Sequence, residues 1–179
     1  MRETFVYLFL FHNIIHMPND YAFKENEIPY LNRAEQYCAQ NEQCRSAVMD
    51  KLALWGAHHD LAEKIVDYLV KNDFINETRY CLTYSESKLH LQKWGRIKIA
   101  YQLRAKRIEK KKIDEALQHL DPEQYRDTLY QLAVDKNATL HEDDPRKRQA
   151  KLVSFLSSHG FEMDEIMTTL GQLNGKEQN

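Results

Sequence analysis

The chain has 179 residues, 29 % of them charged and 42 % hydrophobic, with five Gly, four Pro and a formal net charge of −2. So few helix breakers argue against a turn-rich all-β or low-complexity chain and leave an all-α protein built as one ordinary domain or several small ones. Three cysteines without a CxxC pair, and no Cys or His at ligand spacing from His58 and His59, argue against a disulfide scaffold or a structural zinc site. They point to reduced, buried thiols in a cytoplasmic protein.

Residues 1–27 form a poorly defined N-terminal segment. Its apolar run, Phe5 to Ile15, contains His12 and Asn13 and is about half of the roughly 20 residues a membrane span requires. Met17-Pro18-Asn19-Asp20 offers no small-residue cleavage site, and Met17 is an alternative start. No membrane association is expected.

Three helical triples follow. In the first, 28–75, Leu31, Ala34, Tyr37 and Cys38 share one face of the opening helix. A second helix from about Cys44 to Trp55 turns Val48, Leu52 and Trp55 inward, and Gly56 stands where a left-handed C-terminal residue is wanted. The third helix is predicted to start at Asp60, with Glu63 completing a capping box and Ala62, Ile65, Val66 and Leu69 inward. The second triple, 76–120, opens with Asn76 as N-cap. Its first helix is polar as well as apolar, with Tyr80, Tyr84 and Leu91 among Glu86, Lys88 and Gln92, and is predicted to end at Trp94-Gly95. Ile99, Ala100 and Leu103 face inward on its second helix, and Ile113, Ala116, Leu117 and Leu120 on its third. The third triple, 121–179, starts with Asp121-Pro122 and Gln124, a cap followed by a proline at the first helical position. Tyr125, Leu129 and Leu132 give an apolar stripe, Asn137 to Asp144 a polar connection, and Asp144-Pro145 a second capped start. Gly160 closes that helix, Glu162 to Leu173 is the last one, and the polar tail from Asn174 is expected to fray.

The triples share one apolar phase. Leu52, Leu103 and Leu156 lie 51 and 53 residues apart, each with an apolar residue four positions earlier (Val48, Ile99, Leu152) and others in register after it (Ala62, Ile113, Ile166; Val66, Leu117, Leu170). Shared core positions with divergent surfaces mark a stack of homologous helical units, a scaffold for binding along a surface. Arg107 stands where the other two triples have Gly56 and Gly160. If the turn is kept, the side chain costs on the order of 1 kcal/mol there.

Nothing in the sequence reads as a catalytic site or a cofactor site: there is no Gly-rich phosphate loop, GxSxG or HExxH. His141-Glu142-Asp143-Asp144 has metal-ligand residue types, but acidic residues at a helix start are explained by the helix dipole. Charge is the informative feature. Lys88 to Lys112 holds ten basic residues against Glu109 alone, so this stretch carries +9 and the remainder of the chain −11. On the middle helix Lys98 and Tyr101 point away from the core, with Arg104 toward one flank. Few acidic residues are interleaved to form i,i+4 pairs, so the run suits a phosphate backbone or an acidic protein surface.

Phe74-Ile75-Asn76-Glu77-Thr78-Arg79-Tyr80-Cys81 and the stretch from Lys93-Trp94-Gly95-Arg96 through Ile99 and Leu103 to Lys106 resemble the RecX family of bacterial recombination regulators. The resemblance spans roughly Leu31 to Leu173 and is most specific in the second triple, where Trp94, Gly95, Ile99 and Leu103 match the family pattern. Asp73, Asn76, Cys81 and Arg107 depart from it at turn and packing positions. The resemblance implies an elongated, curved array of three three-helix repeats that docks on the RecA–DNA filament and hinders its ATPase, recombinase and co-protease activities in DNA repair and the SOS response. A monomer without enzymatic activity is expected, and weak, non-specific DNA binding is compatible with this reading. The contact assignments rest on charge: Lys93, Arg96, Lys98 and Arg104, extended by Lys106, Arg107, Lys110, Lys111 and Lys112. The alternative is a free-standing DNA-binding module of helix-turn-helix type, although three lysines opening a helix suit phosphates better than base edges.

Overall fold

The computed structural model describes residues 21–177, so the Phe5–Ile15 run and the question of Met17 lie outside the described residues. The described residues form nine helices and no strand. They are α1 (Ile28–Gln40), α2 (Arg45–Leu54), α3 (His59–Lys71), α4 (Glu77–Gln92), α5 (Arg96–Ala105), α6 (Lys110–Gln118), α7 (Pro122–Ala138), α8 (Pro145–Ser158) and α9 (Met163–Glu177).

The chain divides into two compact units. Among the described residues, the first comprises 21–41 with Ala47–Ile75, and the second Glu42–Ser46 with 76–177. In the first, α1 packs on α3, and Leu31, Val48, Leu52, Ile65 and Leu69 are at the centre of the core. Trp55 and Tyr37 are half-buried at its margin, ring edge to face, with Arg33 stacked 4.1 Å from the Trp55 centroid. Glu35 lies beside Tyr68, and burial raises the pKa of both. In the second unit α4 packs on α5 and α6, α7 on α8 and α9, and α4 also meets α7. The core residues in phase with Leu52, namely Ile99, Leu103, Ile113, Leu152, Leu156 and Ile166, are all buried.

Several helix ends follow the expected capping chemistry. Asn76 accepts from the Arg79 amide, Asp121 from Glu123 and Gln124, and Asp144 from Arg146 and Lys147. One expectation is corrected. The cap of α3 is His58, whose Nδ1 accepts from the Leu61 amide at 3.3 Å, so the helix starts before Asp60 and not at it. On α4, Cys81, Ser85 and Leu89 occupy the buried face at four-residue spacing, which leaves Leu91 79 % exposed. In addition, α7 extends to Ala138, where Arg148 donates to the Asn137 side chain and carbonyl and to the Leu140 and Glu142 carbonyls. The predicted polar connection is therefore shorter, held by one guanidinium.

The three turns after the central helix of each triple close identically. Ala57, Ile108 and Phe161 donate to the carbonyls of Leu52, Leu103 and Leu156, five residues back. All three are buried. The residue before each is left-handed: Gly56 at φ +94°, Arg107 at +61° and Gly160 at +86°. Arg107 thus keeps the glycine geometry and bears its steric cost.

Candidate partner-binding surface

The basic run divides between a buried joint and an open face. The joint lies at the N-terminus of α5, within the second unit. A helix start carries amides with no intrahelical acceptor, and here the α8–α9 turn supplies the acceptors. The Gly95 amide donates to the His159 carbonyl at 2.9 Å, Ile97 to the Gly160 carbonyl at 3.0 Å, and Arg96 to the Tyr125 hydroxyl at 3.0 Å. Such contact requires two glycines for lack of space. A Cβ at Gly95 would land on the Gly160 carbonyl, and a Cβ at Gly160 on the backbone nitrogen and Cβ of Lys98. Ser46, in the first turn of α2 but part of the same unit, repeats the arrangement by donating its hydroxyl to the Lys106 carbonyl at 2.7 Å.

Arg96 belongs to this joint. Its guanidinium stacks 3.8 Å from the Tyr125 ring centroid and pairs with Glu162 at 3.3 Å, while the Tyr125 hydroxyl donates to the other Glu162 oxygen at 2.5 Å. Burial, and then the Glu162 carboxylate, push the Tyr125 pKa far up, so the phenol stays a donor. His159 packs against Phe155, with ring centroids 4.6 Å apart, and its Nδ1 is buried without a partner. Burial, then the Lys98 charge, lowers its pKa.

The remaining basic residues have unequal freedom. Lys112 pairs with Glu77 at 2.8 Å, Lys110 with Asp114, and Lys111 with Glu115 at 4.0 Å. Two of the acidic partners missing inside the run, Asp114 and Glu115, lie just past its end, one turn along α6, and the third, Glu77, lies before it on α4. Lys98 and Lys88 approach the Trp94 ring to 4.9 and 5.0 Å, and Lys98 also reaches the Ser158 carbonyl at 3.3 Å. The Lys106 ammonium lies 6.0 Å from the Tyr80 ring. Lys93, the left-handed C-cap of α4, is exposed, as are Arg104 and Arg107, and none of the three has an ion-pair partner among the described residues.

Between these cations lies a feature that charge counting missed. Ile97 is 56 % and Tyr101 67 % exposed, one helical turn apart on the outer face of α5, with Arg104 next along the same face. The signal was available in the repeat register: the positions equivalent to Ile97 and Tyr101 are Ser46 and Asp50 on α2, and Ala150 and Ser154 on α8.

Two family models match the second unit, one described as the second three-helix domain of RecX over residues 76–117, the other as its third three-helix domain over 123–170. The regulatory protein RecX of Clostridium tetani is 30 % identical over 154 residues, covering 85 % of this chain and 70 % of that protein. The one from Clostridium botulinum strain Eklund 17B is 34 % identical over 147 residues, covering 81 % and 68 %. The chain belongs to the RecX family. A crystal structure of RecX from Lactobacillus salivarius superposes with a TM-score of 0.75 at 25 % identity, covering 84 % of this chain and 97 % of that one. Trp94 and Gly95, the residues most characteristic of the RecX resemblance, lie at the joint and its margin. The RecX relatives are regulatory proteins, and among the described residues no group of three His, Cys, Asp or Glu could hold a metal ion. No described helix is long and apolar enough to cross a membrane. Glu142 pairs with Lys151 and Asp144 caps α8, which accounts for the acidic cluster at 141–144.

Proposed function

We propose that this chain is a cytoplasmic regulator that binds the RecA–DNA filament and restrains its ATPase, recombinase and co-protease activities, acting as a monomer in DNA repair and the SOS response. Membership of the RecX family supports this reading. The observation that carries it to particular residues is the open face of the middle triple, where Lys93, Arg104 and Arg107 are cations with no internal partner. A charged side chain paired within its own fold has little left to offer a ligand, whereas an unpaired one attracts opposite charge at range. Lys93, Lys98, Arg104 and Arg107 are the proposed principal contacts. Lys110 and Lys111 extend the surface with their charge partly balanced by Asp114 and Glu115, Lys106 extends it from beside the Tyr80 ring, and Arg96 and Lys112 contribute through the fold.

The test is the single-strand-DNA-dependent ATPase of RecA from the same organism, with this protein titrated up to the RecA concentration. Inhibition well below equal concentration supports action on the filament. No effect at equal concentration, with the protein shown to be folded, rejects the reading. Tight binding to one duplex sequence would instead favour the helix-turn-helix alternative, which needs a recognition helix with free base-reading side chains at its start. The first residues of α6, Lys110 to Lys112, are ion-paired.

A further inference from the structure

The outer face of α5 carries more than charge. Residues that a repeated fold needs recur at equivalent positions, and Leu52, Leu103 and Leu156 do so. Ile97 and Tyr101 do not recur, being matched by Ser46 and Asp50 in one triple and by Ala150 and Ser154 in the other. No folding requirement common to the three triples explains them, and each leaves apolar surface in water. Scattered exposed hydrophobics are unremarkable, but these two lie one turn apart on one helix and lead on to Arg104, with Leu91 exposed at the end of α4.

The chemistry of the face favours one class of occupant. Phosphate recognition has no use for an aliphatic Ile, and base stacking on the exposed Tyr101 ring would leave Ile97 beside it without a role. The nearby Trp94 is already approached by two ammonium groups, Lys88 and Lys98. An exposed apolar pair that includes an aromatic residue, with the unpaired Arg104 next along the same helix face, has the character of a protein–protein contact. Charge complementarity asks for a carboxylate rim around an apolar pocket on the other side.

Resting on the filament reading above, we infer that the Ile97–Tyr101–Arg104 face of α5 docks on the protein component of that filament, in an apolar pocket edged by acidic side chains, and not on its DNA. The experiment compares the parent with Ile97→Ser/Tyr101→Ser for binding to RecA assembled on single-stranded DNA and, separately, to the same DNA alone. Both side chains are exposed, so helical content and urea midpoint should match the parent. The expected result is a loss of filament affinity of about tenfold or more, as for truncating central interface residues, with DNA-alone affinity changed less than about twofold. Tyr101→Ser alone provides the same contrast at smaller amplitude should the double variant fold poorly. Equal filament binding by parent and variants, or a proportionate loss on DNA alone, overturns the inference while leaving the filament reading intact. A parent that does not bind the filament at all overturns the reading itself.

Discussion

The two sides of α5 carry adjacent residues with opposite fates. At its start, Gly95, Arg96 and the first amides are enclosed by the α8–α9 turn, the Tyr125 hydroxyl and Glu162, and the positive end of the helix is neutralised by carbonyls. One residue later Ile97 opens a face that runs through Tyr101 to Arg104 without internal partners. A positive residue in the sequence is thus not the same as positive charge available to a ligand. Arg96 and Arg104 contribute equally to the charge of the basic run, yet one fixes two triples against each other while the other meets solvent.

The sharpest break in this comparison should come from Gly95→Ala. Its Cβ would land on the Gly160 carbonyl and the Phe161 backbone nitrogen, which cannot give way as a flexible side chain could, so the joint must open, at a cost of about 3 kcal/mol or more by analogy with severe overpacking. Urea denaturation would show this as a lower midpoint. Arg96→Ala removes a half-buried ion pair and a stacking contact, for an expected loss of about 1–2 kcal/mol. Its filament affinity should remain within about twofold of the parent at a temperature where both are folded, since the arginine acts through the joint. Arg107→Gly should move stability the other way, by roughly 1 kcal/mol, because the left-handed turn no longer carries a Cβ. A midpoint that fails to rise would mean that Arg107 makes an offsetting contact.

The smallest effect expected is one of pH. Burial and the nearby Lys98 lower the folded-state pKa of His159, so the folded protein favours the neutral ring. The unfolded chain binds the proton near the ordinary value of about 6.5. The stabilisation is therefore full above that value and is lost as pH falls through it toward the folded pKa. His159→Gln should flatten this part of the stability profile. An unchanged slope would assign the pH dependence to another group.

Much of the fold was legible in the sequence because the same constraint was written three times: the apolar phase around Leu52, Leu103 and Leu156 predicts the buried positions, and Asn76, Asp121 and Asp144 announce their helix starts. At Arg107 the alignment with Gly56 and Gly160 left open whether the turn is kept, and the structure keeps it. What local pattern did not reveal were contacts between distant residues. Nothing near Gly95 indicates that Gly160 will lie against it, and Arg96 and Lys112 looked free because Glu162 and Glu77 are 66 and 35 residues away. The mixed polar and apolar pattern of α4 did not show that Leu89 holds the inward phase and leaves Leu91 in solvent. Ile97 was likewise unassigned, and its exposure is informative only beside Ser46 and Ala150.

The central claim is that the exposed, unpaired cations of the middle triple, and not the basic run as a whole, engage the partner. Filament affinities of Lys93→Glu/Arg104→Glu and Lys110→Glu/Lys111→Glu test it directly, because both double reversals change net charge by the same amount. The first pair should weaken binding by about tenfold or more and the second by no more than about threefold. Equal losses from the two would mean that the filament senses only overall charge, and would contradict the account.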